Sequence, residues 1–233
     1  MSDPIHGADR ARTVQNIFSR IAPRYDLMNR LMTGGQDQAW RRDVILRARL
    51  KPGERLLDLG AGTGDLAREA LRQQPACWPV AADFTLAMML RGKQRPGPGL
   101  DWSAADALRL PFPDDYFDAL ISGYLLRNVV DLPAALVEMR RVLKPGGRWV
   151  SLDTTRPKRN LLSPFISFHM HTVIPILGTL LTGQKDAYTY LPESTEVFLS
   201  AEQVAERLAQ AGFHEIGFQR RMFGTMAIHW GVK

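Results

Sequence analysis

The 233-residue chain is 45% hydrophobic and 23% charged, which allows one large domain with a substantial core or two small ones. Thirty Lys and Arg against 24 Asp and Glu leave a net charge of +6, and nine Arg against five Asp place +4 of it within residues 1–50. The single cysteine, Cys77, excludes an internal disulfide; with no Cys/His cluster at zinc-ligand spacing and no secretory leader pattern, a cytoplasmic chain without a metal site is expected.

In chain order, Val14, Ile17, Phe18 and Ile21 fall at helical spacing until Pro23 interrupts. A second helix is predicted from Tyr25 to Met32, and a third from Asp37, read as its N-cap, to about Leu50. The basic excess of this region reads as a solvated helical surface or as a patch for an anionic membrane surface. Nucleic acid is not expected, because the arginines are not interleaved with an aromatic RNA-reading motif.

From residue 51 the pattern changes to short apolar runs alternating with amphipathic segments. Strands are predicted at 55–59, 78–82, 101–103, 117–122 and 148–152, and helices at 65–73, 85–91 and 132–143. "GKQRPGPG" (92–99) reads as a loop. This alternation predicts an α/β fold, a mostly parallel sheet with helices on both faces. Near the end, Ser200 and Gln203 form a capping-box signature for a helix to Ala211, with Gly212 as its stop. Runs at about 215–221 and 225–231 predict an antiparallel C-terminal hairpin at the sheet edge.

"LLSPFISFHMHTVIPILGTLLT" (161–182) contains no Asp, Glu, Lys or Arg. Its length would cross a bilayer, but its two prolines and two histidines argue for a buried helix pair or an apolar lid.

Chemistry concentrates in "LLDLGAGTGDLAREAL" (56–71). Gly60, Gly62 and Gly64 make a tight turn after the first strand, where ligands collect in such sheets. A dinucleotide fingerprint would place the third glycine one residue later, where Asp65 stands and would repel a pyrophosphate. Acids at 58 and 65 suit a cationic donor without phosphate, which points to S-adenosylmethionine. Asp83, 23 positions after Gly60, is placed either to bind ribose or to cap the next helix. Asp106, with the Ala107 amide beside it, follows the third strand and reads as an adenine contact or a turn residue. Leu86, Met88 and Leu108 are candidate apolar walls or simple core.

The "LDLGAGTGD" turn and the later acids resemble the class I S-adenosylmethionine-dependent methyltransferases. More narrowly, "YDLMNRLMTGGQDQAWRR" (25–42), "LLRNVVDLPAALVEMRRVLKPGGRWVSLDTTRP" (125–157), "DAYTYLPEST" (186–195) and the closing "HWGVK" resemble the ubiquinone/menaquinone biosynthesis C-methyltransferases. Asp37 stands where that family commonly has histidine, Gly123 where ubiquinone-type members often have serine, and "DTTRP" is nearer the menaquinone-type pattern. The resemblance implies methyl transfer to a ring carbon of a polyprenylated quinol, with demethylmenaquinol preferred and a benzoquinol or another lipid-like acceptor as alternatives. A non-catalytic S-adenosylmethionine-binding protein is a further alternative.

On that basis Asp58, Gly60, Gly62, Thr63, Gly64, Asp83, Asp106, Ala107 and Gly123 are expected to bind cofactor. Arg127, Asn128 and Tyr25 are expected to serve the chemistry. His169 and His171 are candidate bases, Tyr188 and Tyr190 candidate substrate contacts, and Asp153 a group near the ring or a partner of Arg127. No metal is implied. The expected organisation is one methyltransferase domain over 1–233. It comprises a helical cap (about 10–50), a cofactor core (about 51–155), an apolar lid (about 156–195), and a C-terminal helix and hairpin (about 200–233). Peripheral membrane contact follows if the lid serves an isoprenoid tail; the oligomeric state is left open.

Overall fold

A computed structural model describes residues 8–22, 25–156, 168, 172–173, 176, 194–195 and 197–233; the side chains at 8–11, 25 and 26 fall outside that description. Three helices come first, α1 (Ala8–Ile21), α2 (Tyr25–Met32) and α3 (Asp37–Ala48). Then β1 (Arg55–Leu59), β2 (Trp78–Asp83) and β3 (Asp101–Ala104) alternate with α4 (Asp65–Gln73) and α5 (Leu86–Lys93). Next come β4 (Phe117–Gly123), α6 (Leu132–Val142), β5 (Leu143–Thr154), α7 (Ala201–Gln210), β6 (His214–Arg221) and β7 (Met226–Val232). The spatial order is β3-β2-β1-β4-β5-β7-β6. The first five strands are parallel and β7 runs antiparallel to both β5 and β6.

Both faces of the sheet are covered, so its central strands are apolar throughout. Leu57, Leu59, Leu120 and Trp149 pack beneath Leu136 and Met139 of α6 and Val204 and Leu208 of α7. Their neighbours Leu56, Ile121, Val150 and Leu152 face Trp40, Val44 and Ile45 of α3 and Leu66 and Ala70 of α4. A small cluster of Ile17, Ile21 and Met28 holds α1 to α2.

Three expectations are corrected. Gln36, not Asp37, occupies the cap of α3; Asp37 is its first residue and is buried, its carboxylate near Thr33 Oγ1 at 3.3 Å. The α5 helix runs on to Lys93, into the segment read as loop. Strand β5 begins five residues early at Leu143, and a register shift opposite Phe117 and Ala119 absorbs the Lys-Pro-Gly-Gly segment. The C-terminal antiparallel hairpin forms at the sheet edge as expected, with β7 paired to β5 and β6 outermost. The Ser200–Gln203 capping box forms as read. Among the described residues no helix is long and apolar enough to cross a membrane. Most of 161–182 lies outside the described residues, as do Tyr188 and Tyr190.

His229 of β7 is buried, its Nε2 3.0 Å from the Ala201 carbonyl. Burial first, and Arg220 nearby, hold its pKa down to about 4 against an ordinary 6.5. In the unfolded chain the imidazole gains its proton below about pH 6.5. Stability is therefore present above that pH and is lost as pH falls towards 4, by up to roughly 3 kcal/mol. Urea unfolding of wild type and His229→Gln at pH 7 and pH 4.5 checks this: the variant is expected to lose less stability on acidification, and equal losses would refute it.

Candidate active site

The strand order reverses between β1 and β4, which lie side by side although β2 and β3 intervene in sequence. Such a switch point opens a crevice at the carboxyl ends of the strands. Gly60 (φ 70°), Gly62 (φ 58°) and Gly64 (φ 82°) turn the chain there in a backbone region that side chains rarely adopt. A Cβ on Gly60 would also lie 3.0 Å from Leu125 Cδ1, so the turn is closely packed as well.

Two clefts flank this turn. The larger encloses about 900 Å³ open to solvent. Its floor is Gly60, Gly62, Asp83 and Gly123, with Asp106, Ala107 and Asn128 around it. Its apolar walls include Phe84, Met88, Leu108, Val129 and Val130, and α1 contributes Val14, Gln15 and Phe18. Gln15 Nε2 donates to the Phe84 carbonyl at 3.1 Å, tying α1 to the rim. The smaller cleft lies behind the turn, between Asp58, Gly60–Thr63, Asp65, Gly123, Tyr124 and Arg41.

Asp83 shapes the turn. One oxygen accepts from the Gly62 amide and the other from the Thr85 amide, both at 2.7 Å. A carboxylate offers about four lone-pair sites, so each oxygen can still accept from a ligand hydroxyl. Thr85, not Asp83, occupies the cap of α5, although Asp83 holds its amide; burial raises the Asp83 pKa despite those amides. Asp58 has no exposed surface. Its Oδ2 accepts from the Ala67 amide at 2.9 Å, whereas its Oδ1 has no hydrogen-bond partner. Burial, with Asp83 and Asp65 adding to it, pushes Asp58 up to about 7. Asp65 behaves oppositely: burial raises its pKa, but ion pairs with Arg41 and with Arg95 (2.6 Å) more than offset this and leave it lowered.

The structure therefore gathers Asp58, Gly60, Gly62, Thr63, Asp83, Asp106, Ala107, Gly123 and Asn128 on two adjoining clefts. Thr63 lies in the smaller cleft, with Arg95 Nη1 donating to its hydroxyl at 2.9 Å. Gly64 lines neither cleft: it caps α4, and a Cβ there would meet Leu100 at 2.9 Å. Arg127 turns away from the glycine loop and lines a third cleft with Val129, Val130, Phe198 and Leu199. It is buried there, with Nη1 2.7 Å from Asp153 Oδ1. Asp153 also accepts from the Leu126 and Thr154 amides at 2.7 Å, so it is the partner of Arg127. Asn128 donates from Nδ2 to the Tyr124 carbonyl at 2.8 Å. Of the candidate walls, Met88 and Leu108 line the large cleft while Leu86 faces solvent. Tyr25 opens α2, but its side chain lies outside the described residues, as do His169 and His171.

Sequence reasoning missed Arg41, Phe84, Tyr124 and the α1 residues. Phe84 had an available signal, since the residue after a ribose-binding acid borders the same crevice. Tyr124, directly after β4, carried the same strand-end signal, whereas Arg41 and the α1 residues come from helices whose docking no local pattern encodes.

The geometry fits an adenosyl sulfonium ligand: Asp58 offers a buried oxygen without a donor, and no side chain from the glycine turn bars the crevice. The sequence profile of the ubiE/COQ5 methyltransferase family matches residues 6–233. The ubiquinone/menaquinone biosynthesis C-methyltransferase UbiE of Desulfotalea psychrophila is 47% identical, covering 94% of this chain and 90% of its own. The demethylmenaquinone methyltransferase of Thermus thermophilus is 42% identical, covering 92% and 99%. A solved SAM-dependent methyltransferase of Thermotoga maritima superposes with a TM-score of 0.64 at 19% identity, covering 94% and 98%. At that identity the likeness shows the shared fold.

Breaking the Arg127–Asp153 pair leaves a buried charge without its counter-ion. Asp153→Ala should cost about 3–5 kcal/mol in urea unfolding, whereas replacing both residues by apolar ones should cost less than the two single losses combined. Additive losses would show that the pair is not coupled.

Proposed function

This chain belongs to the ubiE/COQ5 methyltransferase family, and from that premise we propose that it methylates a ring carbon of a polyprenylated quinol, preferring demethylmenaquinol. It is an S-adenosylmethionine-dependent methyltransferase with the class I fold. The observation that carries the cofactor reading is the partnerless, fully buried Asp58 oxygen beside the glycine turn. The acceptor reading rests on the names of the relatives from Thermus thermophilus and Desulfotalea psychrophila. The second of those names also covers ubiquinone biosynthesis, which keeps a benzoquinol in view.

When bound, S-adenosylmethionine supplies an electrophilic methyl group on a positively charged sulfur. Asp58 provides negative charge on the cation's side of the glycine turn. Asp83 has lone pairs for ribose hydroxyls, and Asp106 and Ala107 stand where an adenine edge would rest between Phe84, Met88 and Leu108. For carbon to attack, an acceptor hydroxyl must lose its proton, so the protein's tasks are alignment and proton removal. Asn128 borders the large cleft and Arg127 the third, and the two clefts share Val129 and Val130. The acceptor ring is assigned to that junction, with Asn128 orienting its oxygen. Arg127, fixed by Asp153, favours the phenolate through its charge. The whole chain is read as a single methyltransferase domain, with Tyr25 closing over the donor.

The deciding experiment is turnover with reduced demethylmenaquinone against its benzoquinol counterpart. Higher kcat/KM for the naphthoquinol is expected; the reverse would assign the benzoquinol, and donor binding without transfer to either would indicate a non-catalytic role. A second expectation concerns pH. Asp58 with its pKa near 7 must release its proton to receive a cation, so donor affinity should rise as pH increases through 7. Calorimetry in buffers of different ionisation enthalpy should show proton release in wild type and much less in Asp58→Asn; equal release would refute the role of Asp58.

A further inference from the structure

The third cleft is larger than Arg127 alone requires, and hydrocarbon dominates its walls. It encloses about 850 Å³ open to solvent, a size that accommodates a small-molecule ligand. One wall is the connection from β4 to α6, with Val129, Val130, Leu132 and Pro133; the other is the segment before α7, with Phe198 and Leu199. The backbone of these walls is already engaged. The Val129 amide donates to the Leu126 carbonyl at 3.3 Å, and Pro133 has no amide hydrogen. The Phe198 carbonyl accepts from Arg156 Nη2 at 3.1 Å. The Leu199 carbonyl accepts from the Arg156 amide and from Thr155 Oγ1, both at 3.3 Å. Besides apolar groups the lining holds Ser194 and two arginines, Arg127, which is buried, and Arg207 of α7, which is exposed.

We propose that the third cleft binds the proximal isoprene units of the acceptor's tail and that the rest of the chain leaves past Val197. The inference rests on the reading that the acceptor is a polyprenylated quinol, and it adds where the tail lies and how much of it the protein senses. Three observations carry it. The first is continuity: Val129 and Val130 border both this cleft and the large one, so the third cleft opens from the junction to which the acceptor ring is assigned. The second is chemistry. An isoprenoid chain brings no hydrogen-bonding atom, and these walls have most of their backbone polar groups spoken for. The charge of Arg127 falls at the buried end, beside the ring, where a quinol oxygen can use it. The third is exposure: Val197 is 75% exposed and Val130 is exposed too, and apolar surface left wet at the mouth of a concave site is what a hydrocarbon ligand covers. The cleft has the volume of a small ligand and not of a long polyprenyl chain, so the protein senses the units next to the ring and not the total length.

Methyl transfer by the full chain to a series of reduced acceptors tests the assignment. All carry the ring that turnover prefers, with a methyl group in place of the tail or with a monoprenyl, diprenyl or tetraprenyl tail. In wild type, kcat/KM is expected to rise roughly a hundredfold from the methyl to the diprenyl acceptor and then to level off. Val197→Asp and Pro133→Asp place a charge in the cleft at exposed positions, so neither change burdens the fold. Each should lower the diprenyl-to-methyl ratio by about tenfold or more. Equal wild-type kcat/KM for the methyl and diprenyl acceptors overturns the proposal, and so does a rise that continues undiminished to the tetraprenyl one. An unchanged ratio in both variants overturns it too, because the tail would then lie elsewhere. No transfer to any acceptor by folded, donor-binding protein would overturn the quinol reading and the inference with it, whereas the preceding outcomes leave that reading intact.

Discussion

The carboxylate of Asp58 sits at the end of the central strand with no exposed surface, and the site is arranged around what that costs. With its pKa raised from 3.8 to about 7, ionising Asp58 in the empty fold opposes folding by about 4 kcal/mol once the pH is well above 7. The Ala67 amide offsets part of this, but the second oxygen is left without a donor. A core position that merely needed filling would be better served by an apolar residue. An acid kept under these conditions gives a cation a reason to enter the crevice.

Topology brings the other groups to that acid. Parallel strands end at one edge of the sheet, so the residues after β1, β2, β3 and β4 meet there although 70 positions separate Asp58 from Asn128. The Asp83 carboxylate then links two of these ends by binding the amides of Gly62 and Thr85. One side chain thereby fixes both the glycine turn and the entry to α5 before any ligand arrives, which lowers the ordering cost of binding.

How much could be read in advance follows from whether the signal is local. Strands β1 to β4 and helices α4 and α6 are written in hydrophobic alternation and punctuation, and the Ser200–Gln203 cap is written in two residues. The strand-end acids were legible because a parallel sheet puts every such position on one edge. Arg127 shows the limit of that rule. It follows β4 as Asn128 does, but the short helical turn Leu126–Asn128 rotates consecutive side chains by a third of a revolution. Asn128 therefore meets the large cleft while Arg127 goes to Asp153. Asp37 was misread for a related reason: an acid before a helical run has the composition of a cap, and only its burial against Thr33 and Arg41 tells the two apart. Val14, Gln15 and Phe18 carry ordinary helical spacing; that they face a cleft depends on how α1 docks against α5, a long-range fact.

The same docking gives the N-terminal helices a role beyond covering the sheet. Asp37, Arg41, Asp65 and Arg95 form a chain of alternating charges from α3 across the start of α4 to the segment after α5. Most of these side chains are shielded from water, so salt screens the chain less than it would a surface pair. Loss of an end member leaves the Arg41–Asp65 pair in place, whereas loss of Arg41 or Asp65 would remove the ion pair of Asp37 or of Arg95. Apolar packing of Trp40, Val44 and Ile45 sets how α3 sits on the sheet and α4, and the ion pairs then fix it specifically to the first residue after the glycine turn, so the wall of the crevice is held by contacts of two kinds.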